Sequence, residues 1–199
     1  MISWIVASHD WPTLRDNLGA TVRGVGDDEV VVVEHATSIA AAYNEGQARA
    51  SQPIRAYVHH DVRIVDAPRL RAELIRWCQP WIGLVGVVGS WSRAVPYWEG
   101  FLCGSVVDTR AGKIGPGKGG ECAYLDGLLL ASARELVWDE SYPGWHGYDH
   151  DICEQSLQLG LPNWCLTDGH LMVEHHTTSS FDPPGFDDAM TRFREKWGV

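Results

Sequence analysis

Three short clusters of histidine and acidic residues carry the groups in this sequence that are best suited to chemistry. They are His59-His60-Asp61, Gly147-Tyr148-Asp149-His150-Asp151 and Glu174-His175-His176. Imidazole and carboxylate groups together suit a divalent cation such as Mn²⁺, Mg²⁺ or Zn²⁺ better than they suit an apolar core. One such triplet alone would favour a solvated strand end. Three clusters in one chain favour a site.

The apolar patterns between these clusters predict the elements that must position them. Ile2–Ser8, the continuous apolar run Glu29–Glu34 and the run that ends at Tyr57-Val58 are typical of strands, and Glu29–Glu34 of a strand buried on both faces. Helices are predicted from Pro12 to about Gly24 and from an N-cap at Ser38 through Ala50. This β-α-β-α-β order predicts a three-layer α/β/α sandwich with a mostly parallel central sheet.

Polar residues follow each of these three strands. The groups are Ser8-His9-Asp10, Glu34-His35 and His59-His60-Asp61. Ligands of open α/β sheets bind beyond the carboxyl ends of the strands, so the three groups are expected to converge on one site. The alternative, three solvated loop starts, remains open at this level because loops after strands are polar in any fold.

The second half of the chain continues the same alternation. The patterns predict a helix over 67–78, strands over 81–88 and 100–107, and helices over 149–159 and 187–197. The segment from about Gly112 to Gly120 is so rich in glycine that we expect a mobile loop. Lys113 and Lys118 lie within it and could close over a phosphorylated ligand as a lid, although solvated lysines are the simpler interpretation of either one.

Composition limits the classes of protein that fit. The 199 residues are expected to form one domain, 1–199, of ordinary globular composition. A net charge of −10 argues against nucleic acid or an anionic membrane as the main partner, and it means that a phosphorylated ligand needs a local cation. The five cysteines show no CxxC spacing and no signal peptide precedes them, which predicts reduced thiols and a cytoplasmic location. No run is long enough to predict a transmembrane segment.

An aromatic segment leads directly into the second cluster. Trp145 and His146 stand just before Asp149, at the predicted start of a helix. An aromatic side chain beside a carboxylate can hold the face of a sugar while its hydroxyl is deprotonated. Acidic residues at a helix start also interact well with the helix dipole, so a purely structural role for Asp149 or Asp151 is the alternative.

Taken together, these blocks resemble the GT-A fold glycosyltransferases, in particular the bacterial family-2-like group. The similar blocks are Ala42–Gly46, His59–Val62 at the place of the usual D-x-D, Gly86–Ser90, Tyr97–Gly100, Leu125–Ala131, Trp145–Cys153 and Phe193–Trp197. They span nearly the whole chain and occur in the order that the family has. The order is more persuasive than any single block.

The resemblance implies metal-dependent transfer of a sugar from a UDP- or GDP-sugar to a hydroxyl of a glycan or other acceptor, with inversion. It implies that Asp61, with His175 or His176, holds Mn²⁺ or Mg²⁺, and that Asp149 is the general base. Residues expected at the donor are Ser8, His9, Glu34, Asn44, His59, His60 and Lys118. Residues expected at the sugar or acceptor are Asp126, Trp145, His146 and Asp151.

Two other functions remain open from the sequence. A metal-dependent hydrolase would use the same His and Asp residues to activate water, and would bind its metal tightly without a nucleotide. A non-catalytic module that binds sugars or nucleotide sugars would keep the fold without turnover. The replacement of the first acid of D-x-D by His59 keeps this second alternative open.

Overall fold

The structure, a computed structural model of the chain, describes residues 1–19, 27–142, 144–177 and 183–199. Its strands are β1 (Ile2–Ala7), β2 (Glu29–Val33), β3 (Ile54–Val58), β4 (Val62–Ile64), β5 (Val85–Gly86), β6 (Val88–Ser90), β7 (Leu102–Asp108), β8 (Gly112–Lys118), β9 (Gly120–Cys122), β10 (Tyr124–Leu125), β11 (Leu129–Ser132), β12 (Asn163–Cys165) and β13 (Val173–His175). Its α-helices are α1 (Trp11–Asp16), α2 (Ile39–Arg49), α3 (Ala67–Trp77), α4 (Tyr148–Gln158) and α5 (Pro183–Trp197).

A seven-stranded sheet in the order β2-β1-β3-β11-β5-β12-β9 forms the centre of the molecule. β1 pairs in parallel with both β2 and β3, as the β-α-β-α-β pattern predicts. β11 runs antiparallel between β3 and β5. A smaller sheet has the order β10-β6-β7-β13-β4, and β8 pairs with β7 beside this path.

Helices pack on both faces of the large sheet, which confirms the predicted three-layer sandwich. Alternate residues of β1 point to opposite faces because successive side chains of a strand do so. Trp4 packs in one apolar core with Leu70 and Leu74 of α3. Ile5 packs in the other core with Tyr43 of α2 and residues of α4 and α5. In the described parts of the chain, every helix is too short or too polar to cross a membrane.

The helix beginnings follow the capping signals of the sequence. The Ser38 side chain accepts a hydrogen bond from Ala41 N at the start of α2, as predicted. Asp66 caps α3 by accepting from Arg69 N, and Asp10 caps α1 by accepting from Thr13 N. The predicted first helix begins as expected: α1 is followed by a turn at Asn17 and by helical residues at Leu18 and Gly19, and the predicted end near Gly24 lies outside the described residues.

The glycine-rich segment is not a loop, so the prediction that it lacks regular structure is wrong. Gly112–Lys118 forms β8, which pairs antiparallel with β7. Gly115 and Gly117 have φ of +84° and +81°, and a Cβ on Gly115 would lie 2.5 Å from the Gly104 carbonyl oxygen. The glycines therefore allow an irregular hairpin whose two strands approach closely, which is a structural use of glycine rather than a sign of mobility.

Two strand predictions also need correction. β2 is an edge strand of the large sheet, so the run Glu29–Glu34 is not buried on both faces; Val31 and Val33 are buried and Val30 is 38% exposed. The run predicted as one strand over 81–88 instead contributes β5 to the large sheet and begins β6 of the small one. The five cysteines are free and buried.

Candidate functional site

The His59-His60-Asp61 cluster forms the short turn between β3 and β4. The His59 backbone N–H donates to the carbonyl of Leu128, just before β11, and the Val62 N–H donates to the His59 carbonyl. β13 pairs antiparallel with β4, with His175 opposite Val62. This pairing brings the third cluster of the sequence to the first.

Three side chains meet at this point in an arrangement that fits a metal ion. One ligand atom each from His59, Asp61 and His175 lies within 4.8 Å of the others. Asp61 Oδ1 is buried, has no hydrogen-bond partner among the described residues, and lies 3.4 Å from His175 Nε2. A buried carboxylate needs a cation beside it, and one carboxylate with two imidazoles suits Mn²⁺ or Zn²⁺.

His175 and His176 separate clearly in the structure. His176 Nε2 lies 3.2 Å from Glu174 Oε2 and takes no part in the group formed by the other three residues. Adjacent strand residues face opposite sides, so only one of two consecutive histidines can face the turn. Of the two alternatives left open by the sequence, the geometry favours His175, and it adds His59, which was expected at the donor.

The surroundings of Asp61, His59 and His175 shift the pKa of each side chain, and metal ligands have to be deprotonated. Burial acts to raise the pKa of Asp61, but the contact with His175 and the charges of the nearby imidazoles outweigh burial and lower the pKa to about 2. Burial lowers the pKa of His59, so its imidazole is neutral and keeps a lone pair for a ligand. Burial also acts to lower the pKa of His175, but Asp61 and other carboxylates raise it overall. Metal binding must therefore release a proton from His175 when that residue is protonated.

A second set of contacts orients the two imidazoles. His175 Nδ1 lies 3.0 Å from Asp108 Oδ2 at the end of β7. Asp108 is itself held by the Thr177 hydroxyl at 2.6 Å and by the backbone N–H groups of Arg110 and Ala111, both at 2.8 Å. On the other side, the Tyr148 hydroxyl lies 2.6 Å from His59 Nε2. Such partners fix the ring orientation of metal-binding histidines.

Neither Asp108 nor the contact made by Tyr148 was predicted from the sequence. Asp108 precedes a turn that ends at Gly112, and that pattern predicts a hairpin in which the aspartate caps backbone N–H groups. Its second carboxylate oxygen reaches His175 only because β13 pairs with β7, with His175 opposite Asp108.

A cavity of about 250 Å³ opens beside the cluster, beyond the carboxyl ends of β1 and β3. Its lining residues are Ala7, His9, Ile39, Tyr43, Val58, His59, His60, Asp61, Trp145 and His146. Six of these were predicted from the sequence; Ala7, Ile39, Tyr43 and Val58 were not. Ser8 stands just outside and its hydroxyl lies 3.0 Å from His60 Nδ1. The expected convergence of strand ends is therefore present for β1 and β3.

The two carboxylates Asp126 and Asp149 are held on either side of Gly127. Asp149 Oδ2 accepts from Gly127 N at 3.3 Å, and its Oδ1 accepts from His150 N at 2.9 Å. The His150 ring accepts from Tyr97 N at Nε2, which leaves the ring proton on Nδ1, 3.1 Å from Asp149 Oδ1. Asp126 accepts from the Tyr97 hydroxyl and from Leu128 N.

These contacts settle how the environment of Asp149 affects its basicity. Burial raises the pKa of Asp149, but His150 and the backbone N–H groups outweigh burial and lower it. The side chain is 15% exposed. Asp149 is therefore ionised and firmly oriented at neutral pH, at the cost of some strength as a base.

Four predicted donor or sugar residues lie elsewhere. Glu34 is exposed and accepts from Trp11 Nε1 at 2.6 Å. Asn44 holds the 136–140 segment by exchanging hydrogen bonds with the Trp138 backbone and donating to Glu140. Lys118 lies opposite Gly104, at the far end of β8 from Gly112. Gly112 lies opposite Asp108, which in turn pairs with His175. Asp151 is the fourth.

Asp151 connects α4 to α5 and is 1% exposed. Its Oδ1 accepts from Tyr142 Oη at 3.0 Å, from Trp197 Nε1 at 2.8 Å and from Lys196 Nζ at 2.8 Å. Its Oδ2 accepts from Gln155 Nε2 at 2.7 Å. With its oxygens occupied in this way, Asp151 serves the packing of α5.

Asp151→Ala is expected to lower the free energy of unfolding by on the order of 3 kcal/mol, because a buried ion pair and several hydrogen bonds lose their acceptor. Chemical denaturation measures it. Asp188→Ala, which removes an exposed acid from α5, is the matched control and should change stability little. Equal stability of the two variants would contradict the structural role of Asp151.

The solved structures that this chain is similar to share its fold across nearly its full length. GalNAc-T7 with UDP, GalNAc and Mn²⁺ superposes with a TM-score of 0.63 at 12% identity, over 100% of this chain and 48% of the other. The mannosyltransferase PcManGT of Pyrobaculum calidifontis, with GDP-Man and Mn²⁺, gives 0.58 at 14% identity, over 97% and 69%. TarS of S. aureus gives 0.65 at 11% identity, over 98% and 39%. The chain thus spans less than half the length of GalNAc-T7 and TarS.

The fold is that of the GT-A glycosyltransferases, to which these solved structures belong. Residues 25–179 match a glycosyltransferase-like family. That match covers most of the chain, so the chain belongs to this family. No curated protein sequence matches the chain significantly.

Proposed function

We propose that the protein transfers a sugar from a nucleotide-diphosphate sugar, UDP- or GDP-linked, to a hydroxyl of a glycan or other acceptor, with inversion. The observation that carries this proposal is the group His59, Asp61 and His175, of which His59 and Asp61 line the cavity. We propose that these three residues hold Mn²⁺ or Mg²⁺. Such an ion would stabilise the negative charge of the diphosphate leaving group as a Lewis acid.

The remaining residues of the site divide into two ends. Ser8, His9 and His60 lie at the ends of β1 and β3, where the nucleotide of the donor would bind. Trp145 and His146 also line the cavity and would contact the sugar or the acceptor. Asp149 would accept the proton of the acceptor hydroxyl. Asp126 would bind a sugar hydroxyl, since it directly precedes Gly127, whose N–H donates to Asp149.

The test is nucleotide binding with and without metal. A thermal-shift screen of nucleoside diphosphates is expected to show stabilisation that requires Mn²⁺, since ligands that bind the folded state raise its stability. Release of nucleoside diphosphate from the matching sugar donor, with an acceptor present, should follow. A tight Mn²⁺ affinity that is the same with and without nucleotide would favour a hydrolase. Binding of a nucleotide sugar without turnover would favour a binding module.

Asp108→Asn should weaken Mn²⁺ binding about 10- to 100-fold, which is the usual cost of losing a carboxylate that orients a metal-binding histidine. Calorimetric titration of Mn²⁺ in the presence of saturating nucleoside diphosphate measures this change. Asp66→Asn removes the same charge at the N-cap of α3 and is expected to leave the affinity unchanged. An unchanged Mn²⁺ affinity for Asp108→Asn would show that Asp108 serves the hairpin alone.

A further inference from the structure

Tyr43 is the one tyrosine among the residues that line the cavity, and it was not predicted from the sequence. It lies on α2 one turn after Ile39, which lines the same cavity. Its side chain is buried, and its ring packs against Tyr57, Trp138 and Tyr148 at centroid distances of 5.1, 4.9 and 5.9 Å. The ring is therefore held in one position by an aromatic cluster.

The hydroxyl of Tyr43 differs from those of its tyrosine neighbours. It is buried and has no hydrogen-bond partner among the described residues. The Tyr57 hydroxyl in the same cluster donates to Gln47 Oε1 at 2.5 Å, and the Tyr148 hydroxyl lies 2.6 Å from His59 Nε2. Buried polar groups in native proteins are almost always paired, so an unpaired hydroxyl on a residue that lines the cavity suggests a partner that arrives with a ligand.

The surroundings of this hydroxyl indicate what kind of atom it meets. Burial, and then the charges of nearby groups that include Asp61, Asp149 and Asp126, keep the pKa of Tyr43 well above its usual value. The group is therefore a protonated donor. It lies within electrostatic reach of both the metal-binding group and Asp149, yet it is bonded to neither.

Among its described lining residues, the cavity lacks strongly basic side chains that could bind an anionic ligand, so a neutral hydrogen-bond donor is useful there. The chain carries a net charge of −10, and the described residues that line the cavity include neither lysine nor arginine. A diphosphate there has to be met by a metal ion, by imidazoles and by neutral donors. Hydrogen bonds to a charged oxygen are the stronger ones that a neutral donor can make.

We propose that Tyr43 Oη donates a hydrogen bond to a diphosphate oxygen of the nucleotide donor, an inference that rests on the function proposed above. Tyr43 then binds the donor from the side of α2. It acts as a neutral donor in a cavity whose described lining residues include no lysine or arginine. The hydroxyl has no hydrogen-bond partner among the described residues of the free protein because its partner is an atom of the ligand.

Tyr43→Phe tests this directly, with Tyr57→Phe as its matched control. Calorimetric titration with UDP and GDP, each with Mn²⁺, should show at least about 10-fold weaker binding for Tyr43→Phe, the effect of losing a hydrogen bond to a charged group. The melting temperature of the free Tyr43→Phe protein should be unchanged or higher, because an unpaired buried hydroxyl is removed. Tyr57→Phe should show the reverse: a lower melting temperature from the lost bond to Gln47, and unchanged nucleotide affinity.

The outcomes separate this inference from the proposed function. If the wild type binds no nucleoside diphosphate with Mn²⁺, both fail. If the wild type binds and Tyr43→Phe binds equally well, this inference alone is overturned. It is also overturned if Tyr43→Phe weakens only the intact sugar donor and leaves the nucleoside diphosphate unaffected, because the hydroxyl then contacts the sugar.

Discussion

Replacing Asp61 with alanine is expected to abolish the metal-dependent part of nucleoside diphosphate binding. Asp61 provides the only carboxylate of the three-residue group, and its Oδ1 has no other partner among the described residues. Two imidazoles without an anionic ligand hold Mn²⁺ or Mg²⁺ poorly, because these ions prefer oxygen. The measurement is nucleotide affinity with Mn²⁺ and with a chelator: two different values for the wild type, and one shared value for the variant.

Asp61→Asn accompanies this variant because it keeps the size of the side chain and removes the charge. It should lose most of the same metal dependence while packing as the aspartate does. Asp66→Asn, outside the cavity lining, should retain the wild-type difference between Mn²⁺ and chelator. Persistence of Mn²⁺-dependent binding in both Asp61 variants would refute the assignment of the metal site.

The second large effect is expected for Asp149→Asn, which should reduce sugar transfer by roughly 10²–10⁴ while leaving donor binding nearly intact. The carboxylate is oriented by Gly127 N, His150 N and the His150 ring, so the amide replaces a positioned base with a group that cannot accept the proton. Single-turnover transfer measured at saturating donor isolates this step.

The lowered pKa of Asp149 adds a pH dependence to this prediction. Burial raises the pKa, and contacts with His150 and backbone N–H groups lower it by more. The group is therefore ionised across the neutral range, and the activity that depends on it is lost only as the pH falls below the usual aspartate range. Asp151→Asn is the comparison, assayed below the melting temperatures of both variants. Near-full transfer by Asp149→Asn with loss in Asp151→Asn would show that the wrong carboxylate was chosen.

The amino-acid sequence by itself determined the layers of the fold and the region of the site. Apolar runs with periods of strands and helices, and caps such as Ser38, depend on a few neighbouring residues, so they can be predicted locally. The strand ends at Ser8 and His59 could be placed at one edge because parallel β-α-β units leave no other choice. The resemblance of several blocks to the family added the expectation of metal and donor chemistry at that edge.

Tertiary structure decided which residues complete the site. The choice between His175 and His176 depends on the pairing of β13 with β4, and the contact of Asp108 with His175 depends on its pairing with β7. Neither pairing leaves a signal in the local sequence, because a shift of one residue would reverse the faces of both histidines. The glycines around Gly115 allow close strand pairing, yet their composition is the same as that of a loop. The unpaired hydroxyl of Tyr43 is likewise invisible in the sequence, since a missing partner is a property of three-dimensional packing alone.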